Sequence, residues 1–384
     1  MRALVFRWGA YTEEDLIHYF KIMNINTSII IYELADKNHD DAFEELLKKK
    51  IENGQFDFVF SVNYFPVIAE ICYKTGIRYV SWSYDAPLNV INIEETLGLP
   101  TNTVYMFDRL QAKEYQDKGI NTVFYLPLAV PVERYDAMSL SDKEKAKYGS
   151  GISFVGNMYT DILGSYISPL SEYDKGYISA ICNAQSNLYG AYIIDENISD
   201  ELIKRINDKY REIKPDTEIE MSREALSYAM AAFVTRRERI SILGVLANRS
   251  ELKYYSRNKC EMLENAIFCN SVDYVSEMPK VFKASTVNLN ITLKILRSGI
   301  PLRALDIMGC GGFLLSNYQP ELAEYFSDGV DMVMYSSVED AISKAMYYAR
   351  NKEKAESIAI NGYEKVKKYF NYIDRINTIV DKIK

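Results

Sequence analysis

The chain has 384 residues, 48% of them hydrophobic and 26% charged, so it can bury more than one core and is not disordered by composition. Its 53 acidic against 45 basic residues give a net charge of −8, which repels phosphate backbones and anionic lipid; no basic run offsets this, and nucleic acid is excluded as a partner. Two histidines (His18, His39) and five scattered cysteines (Cys72, Cys182, Cys260, Cys269, Cys310) without CxxC spacing exclude an imidazole zinc site and a disulfide framework.

Reduced thiols fit a cytoplasmic protein. The opening run from Met1 to Tyr11 does not read as a signal peptide, and no 18-residue apolar stretch predicts a membrane span. Ala3–Phe6 reads as a strand, Trp8-Gly9 as its end, and Glu13–Met23 as a helix with acidic residues in its first turn. Strands follow at Ser28–Tyr32, Phe56–Val62 and Arg78–Ser83, separated by helices at Asp41–Glu52 and Pro66–Thr75. Val104–Phe107, a helix over Asp108–Lys118 and Thr122–Tyr125 continue the alternation.

The polar stretch Ser139–Ser150 reads as a linker. The pattern restarts at Ile152–Val155, is mostly helical from about 161 to 232, and has a further helix at Arg236–Asn248. Strands at Leu252–Tyr255, Thr286–Ile291, Gly312–Ser316 and Met332–Tyr335 precede two or three amphipathic helices from Val338 to Lys384. Strands alternating with helices imply an α/β chain of two doubly wound, Rossmann-like domains in tandem. Ligands of such sheets bind beyond the carboxyl ends of the strands, and two of them facing each other would make a cleft.

Four loops after strands draw attention. In Ser298–Gly312, Gly299 lets a ligand approach the backbone, Pro301 sits like a first helical residue, and Arg303 offers a fork for phosphate. Asp306 follows on the same helical face, where its carboxylate could accept from sugar hydroxyls; an Arg303–Asp306 surface pair reads equally well. Glu321 opens a short helix one strand later, as a ligand contact or a helix-dipole partner. Asp85, between Tyr84 and Ala86-Pro87, is placed as a general base or as an Asp bonding its own turn. Gly156 and Asn157 end the first strand of the second half, and Asn63 ends the third strand of the first half. Tyr254 and Tyr255 close a strand where a base could stack, with core packing the alternative. Arg236, Arg237 and Arg239 add positive charge ahead of a helix and could help hold a diphosphate.

Taken together, Phe56 to Asn63, Tyr79 to Pro87, Ile152 to Gly156, Val287 to Thr292 and Arg303 to Gly312 with the run to Tyr335 resemble a GT-B glycosyltransferase. The likeness is to the bacterial CgeB-like group with its glycosyltransferase group 1-type C-terminal domain. The resemblance implies a GT-B fold: an acceptor-side domain over 1–145 and a nucleotide-sugar domain over 151–365 with a helical insertion at about 161–235. It also implies a final helix, 366–384, crossing back to the first domain. The implied activity moves a sugar from a UDP-, GDP- or TDP-sugar to a glycan or protein hydroxyl, without metal or cofactor. A sugar-nucleotide epimerase or a non-catalytic two-domain binding protein are the alternatives.

On this resemblance Asp85 and Arg303 are catalytic. Gly156, Asn157, Tyr255, Asn290, Ser298, Gly299, Arg303, Asp306 and Glu321 bind donor, and Asn63, Trp82 and Tyr84 face acceptor. Group 1 enzymes carry two glutamates eight positions apart; here those positions hold Ser298 and Asp306, so the first charge is missing.

Overall fold

The structure is a computed structural model that describes residues 1–88, 90, 93–215 and 220–384. It divides into two compact units: residues 1–136 with 299–305 and 365–384, and residues 137–298 with 306–364.

The first unit begins with β1 (Arg2–Arg7), α1 (Glu13–Ile22), β2 (Asn26–Ile31), α2 (Asp41–Asn53), β3 (Phe58–Val62) and α3 (Pro66–Thr75). It continues with β4 (Arg78–Trp82), α4 (Glu94–Leu97), β5 (Asn102–Met106), α5 (Arg109–Asp117), β6 (Val123–Tyr125) and α6 (Val132–Asp136). All six strands are parallel, in the order β2-β1-β3-β4-β5-β6. The apolar runs read from the sequence are strands because both faces of the sheet are covered: every residue of β3 and of β5 is buried. Local signals set the helix ends. Asp40 caps α2 by accepting from Phe43 N–H at 3.0 Å, and α3 starts at Pro66 and closes on Gly76 at φ 71. β1 lies between β2 and β3, so the crossovers reverse there and the loops after β1 and β3 diverge around a switch point.

The second unit opens with α7 (Asp142–Tyr148), β7 (Ile152–Val155), α8 (Leu163–Ile167), α9 (Glu172–Ser186), α10 (Asp200–Ile213) and α11 (Arg223–Ala247). Then come β8 (Leu252–Tyr255), β9 (Ile267–Cys269), α12 (Met278–Ala284), β10 (Val287–Asn290), α13 (Leu302–Gly309), β11 (Leu314–Asn317), α14 (Pro320–Tyr325), β12 (Val333–Tyr335) and α15 (Val338–Arg350). Its parallel sheet runs β12-β11-β10-β7-β8-β9, with the switch point between β7 and β10. Helices α8 to α11 build a core of their own around Ile178, Leu202, Leu226 and Met230. The chain ends in α16 (Lys352–Tyr369) and α17 (Tyr372–Ile383); α17 belongs to the first unit, where Tyr372 stacks on Tyr19 of α1 at 4.9 Å.

Three expectations need correction. The polar stretch 139–150 is largely helix α7, opened by a reciprocal Ser141–Glu144 cap and tied to α12 by Glu144–Lys280 at 2.7 Å and Tyr148–Glu277 at 2.7 Å. The helix read at Arg236–Asn248 is the second half of the 25-residue α11, so the three arginines lie mid-helix and not ahead of it. Strand β9 went unread because it is three residues long and has no fully buried position. Among the described residues no helix is long and apolar enough to cross a membrane.

Candidate active site

At the switch point of the first unit, Asn63 is a non-glycine residue at φ 63, a conformation that asparagine tolerates better than most. Its side chain serves three groups at once: Nδ2 donates to Asp85 Oδ2 at 2.6 Å, and Oδ1 accepts from the Tyr84 and Asp85 N–H groups at 2.8 and 3.2 Å. Asn63, Tyr84 and Asp85 thus come together. Asp85 is an exposed residue, yet the protein around its carboxyl is close enough that desolvation raises its pKa, opposed by the Asn63 hydrogen bond and the charge of Lys37. The carboxyl group's own surroundings, more than the residue's total surface, set that direction. Tyr84 OH reaches Tyr372 OH at 3.3 Å.

Trp82 is the exception on this side. It is 0% exposed, with its indole N–H given to Leu126 O at 3.2 Å, so it packs behind the loop and meets no ligand. Its position at the end of β4 could not reveal which face it takes. The residue that sequence reasoning missed is Trp8 in the loop after β1: it stays 41% exposed while its Nε1 donates to Val62 O at 2.8 Å.

In the second unit, Gly156 and Asn157 follow β7 at its switch point. A Cβ on Gly156 would meet the Phe154 ring at 2.8 Å, so the glycine is required by packing. Exposed Asn157 closes a turn through Oδ1 and Tyr159 N–H at 2.8 Å. Its carbonyl accepts from Arg239, whose guanidinium also donates to Ile291 O, at the ends of β7 and β10. Arg236 bonds Met158 O and Tyr159 O at 3.0 and 2.7 Å; Arg237 bonds Asn183 Oδ1 at 2.9 Å. Asn290 is buried and donates to Thr292 Oγ1 and Ser316 Oγ at 3.0 and 2.9 Å.

Beside it lies a buried charge pair that the sequence did not reveal. Lys294 Nζ is 2.9 Å from Glu238 Oε2, and Glu238 Oε1 accepts from Tyr189 and Tyr335, each at 3.1 Å. The helical position of Glu238, one residue before Arg239, was the only available signal.

The loop after β10 brings Ser298 and Glu321 together: Ser298 Oγ donates to Glu321 Oε1 at 2.7 Å, and both are buried. Three residues depart from their expected settings. Gly299 gives its N–H to Asp108 Oδ2 at 3.3 Å, and a Cβ there would stand 3.0 Å from the Phe107 ring; its small size serves that close approach, and its N–H is not open to a phosphate. Asp306 is 0% exposed and accepts from Tyr274 OH at 2.9 Å, so it neither lies at the surface with Arg303 nor offers its carboxylate to solvent. Tyr255 is buried, with its hydroxyl on Tyr148 O at 3.2 Å, and has no open face for a base. Arg303 lies on α13, part-exposed. Among the described residues no group of three or more His, Cys, Asp or Glu is placed to hold a metal ion.

Residues 223–381 match the model of the glycosyl transferase-like family. No curated protein matches the sequence. Among solved structures the chain is similar to a glycosyltransferase from Rickettsia africae, with a TM-score of 0.56 and 9% identity over 100% of this chain and 97% of that one. It is similar to sucrose-phosphate synthase from Thermosynechococcus elongatus at a TM-score of 0.58 and 9% identity, over 99% and 98% of the two chains. Anabaena HepE in complex with UDP-glucose gives a TM-score of 0.54 and 8% identity over 100% and 99%. Identities this low speak for fold alone. The chain has the GT-B fold of two six-stranded parallel sheets, and within it residues 223–381 resemble the glycosyl transferase-like family.

Proposed function

We propose that the protein transfers a sugar from a nucleotide-sugar donor to a hydroxyl acceptor, with the donor on loops of the second unit and the acceptor on those of the first. The observation that carries this reading is the Ser298–Glu321 pair, in the region between β10 and α14 that matches the glycosyl transferase-like model. Ser298 has no charge of its own, and Glu321 supplies a carboxylate bonded to it. That carboxylate can hold a donor sugar hydroxyl. Arg303 stabilises the diphosphate as charge grows on the leaving oxygen, the step where a fixed cation contributes most. Arg239, at the ends of β7 and β10, adds a second cation near the donor. Asp85, with its raised pKa and its orientation fixed by Asn63, takes the proton of the acceptor hydroxyl in an inverting transfer.

The similarity to HepE in complex with UDP-glucose favours a uridine donor as the first to test, ahead of GDP- and TDP-sugars. Thermal unfolding of the protein with UDP, GDP, TDP and CMP and their sugars tests the reading. A bound ligand at about 100 times its Kd adds about 2.7 kcal/mol and raises the midpoint visibly. A response to one nucleotide class, followed by transfer that Arg303→Ala abolishes, is the expected result. No response to any nucleotide, with free sugars binding instead, overturns it.

A further inference from the structure

The chain has two tryptophans; one is enclosed, and the other, Trp8, is held open. Its indole is fixed along one edge by the hydrogen bond to Val62 O at 2.8 Å and by an edge-to-face contact with Phe65 at 6.1 Å. Its backbone N–H goes to Glu13 Oε1 at 2.9 Å, and the same buried carboxylate accepts from Gly9 N–H and Arg7 Nε, each at 3.3 Å. Gly9, at φ 96, has nothing within 4 Å of where a Cβ would stand. A large aromatic ring is thus immobilised at the carboxyl edge of the sheet without the burial that usually rewards its ordering.

The position is what gives the open ring its meaning. The carbonyl that holds Trp8 belongs to Val62, and the next residue is Asn63, whose amide holds Asp85. An apolar face and a carboxylate–amide pair therefore flank one peptide at the switch point of the first unit. Tyr11, in the same loop and 62% exposed, adds a second aromatic surface. A pyranose ring has that same division: a face of C–H bonds that packs on an aromatic ring, and a rim of hydroxyls that bonds to carboxylate and amide. A serine or threonine hydroxyl on a polypeptide needs the base but has no ring to lay on the tryptophan.

We propose that Trp8 is the platform on which the acceptor's sugar ring stacks, so that the acceptor is a saccharide or glycoside and not a bare protein hydroxyl. This inference rests on the acceptor-side reading of Asn63 and Asp85.

The test uses the unmodified protein first. Trp82 is enclosed, so acrylamide quenching of tryptophan fluorescence reports Trp8. Methyl glycosides of glucose, galactose, mannose and N-acetylglucosamine are titrated in, and at least one is expected to reduce the quenching in a saturable manner. In the transfer assay, Trp8→Ala is expected to raise the KM for that glycoside about tenfold with kcat within about threefold, and Trp8→Phe, which keeps a ring face, to restore most of the loss. Quenching unchanged by every glycoside, or a Trp8→Ala enzyme with an unchanged acceptor KM, overturns the inference. The nucleotide titration is run on the same sample. A nucleotide response without glycoside protection defeats the stacking platform and leaves the transferase reading standing. Glycoside protection without any nucleotide response defeats the transferase reading, and with it the acceptor role of Trp8, leaving only a sugar-binding surface.

Discussion

Ser298 and Glu321 are bonded twice: the serine hydroxyl donates to the glutamate carboxylate at 2.7 Å, and the Glu321 N–H donates to the Ser298 carbonyl at 3.2 Å. The loop after β10 and the first turn of α14 therefore present one polar unit. Glu321→Gln is expected to lower kcat about a hundredfold, because an amide there cannot supply the charge. Ser298→Ala is expected to cost less in rate, and about 1 kcal/mol in stability from the lost buried hydrogen bond. Steady-state kinetics and urea unfolding of the two variants check this. Equal rate losses would show that the serine itself holds the donor.

Arg303→Ala is expected to reduce kcat/KM about 10²- to 10³-fold, the usual effect of removing one group that stabilises transition-state charge. Arg303→Lys keeps the charge and loses the fork, so it should recover only part of the rate. Unchanged kcat/KM in the alanine variant would remove Arg303 from the mechanism.

The pH dependence follows from Asp85. Its folded-state pKa is raised, chiefly by desolvation, so kcat/KM should fall on the acid side at a higher pH than an ordinary aspartate would give. The Asn63 hydrogen bond favours the charged form; Asn63→Ala is expected to move that limb to still higher pH. The stability effect has the opposite sense to that of a salt-bridged aspartate. A carboxyl with a raised folded pKa contributes stability that is present below its unfolded pKa and lost as pH rises through the folded one. Asp85→Asn should then unfold at a higher temperature than the parent at neutral pH, with the gain vanishing in acid. Activity profiles and melting curves across pH read both effects.

The Lys294–Glu238 pair gives a stability test. Both side chains are only 6% exposed, and Lys294 also lies 3.8 Å from the centre of the Tyr189 ring. Lys294→Met strands a buried carboxylate and is expected to cost about 3–5 kcal/mol, whereas the double change Lys294→Met with Glu238→Leu should cost much less. Thermal and denaturant unfolding of the single and double variants decide it.

Much of this architecture was legible in the sequence for a simple reason. β1, β3 and β7 are short apolar runs because both sheet faces are covered, and α3 is framed by Pro66 and Gly76. Helix α7 was obscured because it is held by the buried Tyr148 and by ion pairs while its composition looks like a linker. α11 looked interrupted between about 232 and Arg236, just ahead of polar residues that turn inward: Thr235 Oγ1 accepts from Lys294 N–H at 3.0 Å, and Glu238 and Arg239 are buried. At the site, Asn63 and Asp85 were each legible as a polar residue at a strand end, but the hydrogen bond between them came only with the packed structure. The burial of Trp82, Tyr255 and Asp306 was not, because a residue at a strand end or on a helix can take either face, and only the packed structure decides which. Trp8 was passed over as a strand terminator for the same reason.

The stacking of Tyr372 on Tyr19 joins α1 to a helix some 350 residues later in the chain. During synthesis, α1 leaves the ribosome some 350 residues before α17 does. The second unit's sheet is fully translated in that interval, while the first unit waits for Tyr372, Ile376 and Ile379 to seal its surface. Nascent chains halted before about residue 365 should therefore carry a protease-sensitive amino-terminal half, and α17 acts as the closing step of the half that was made first.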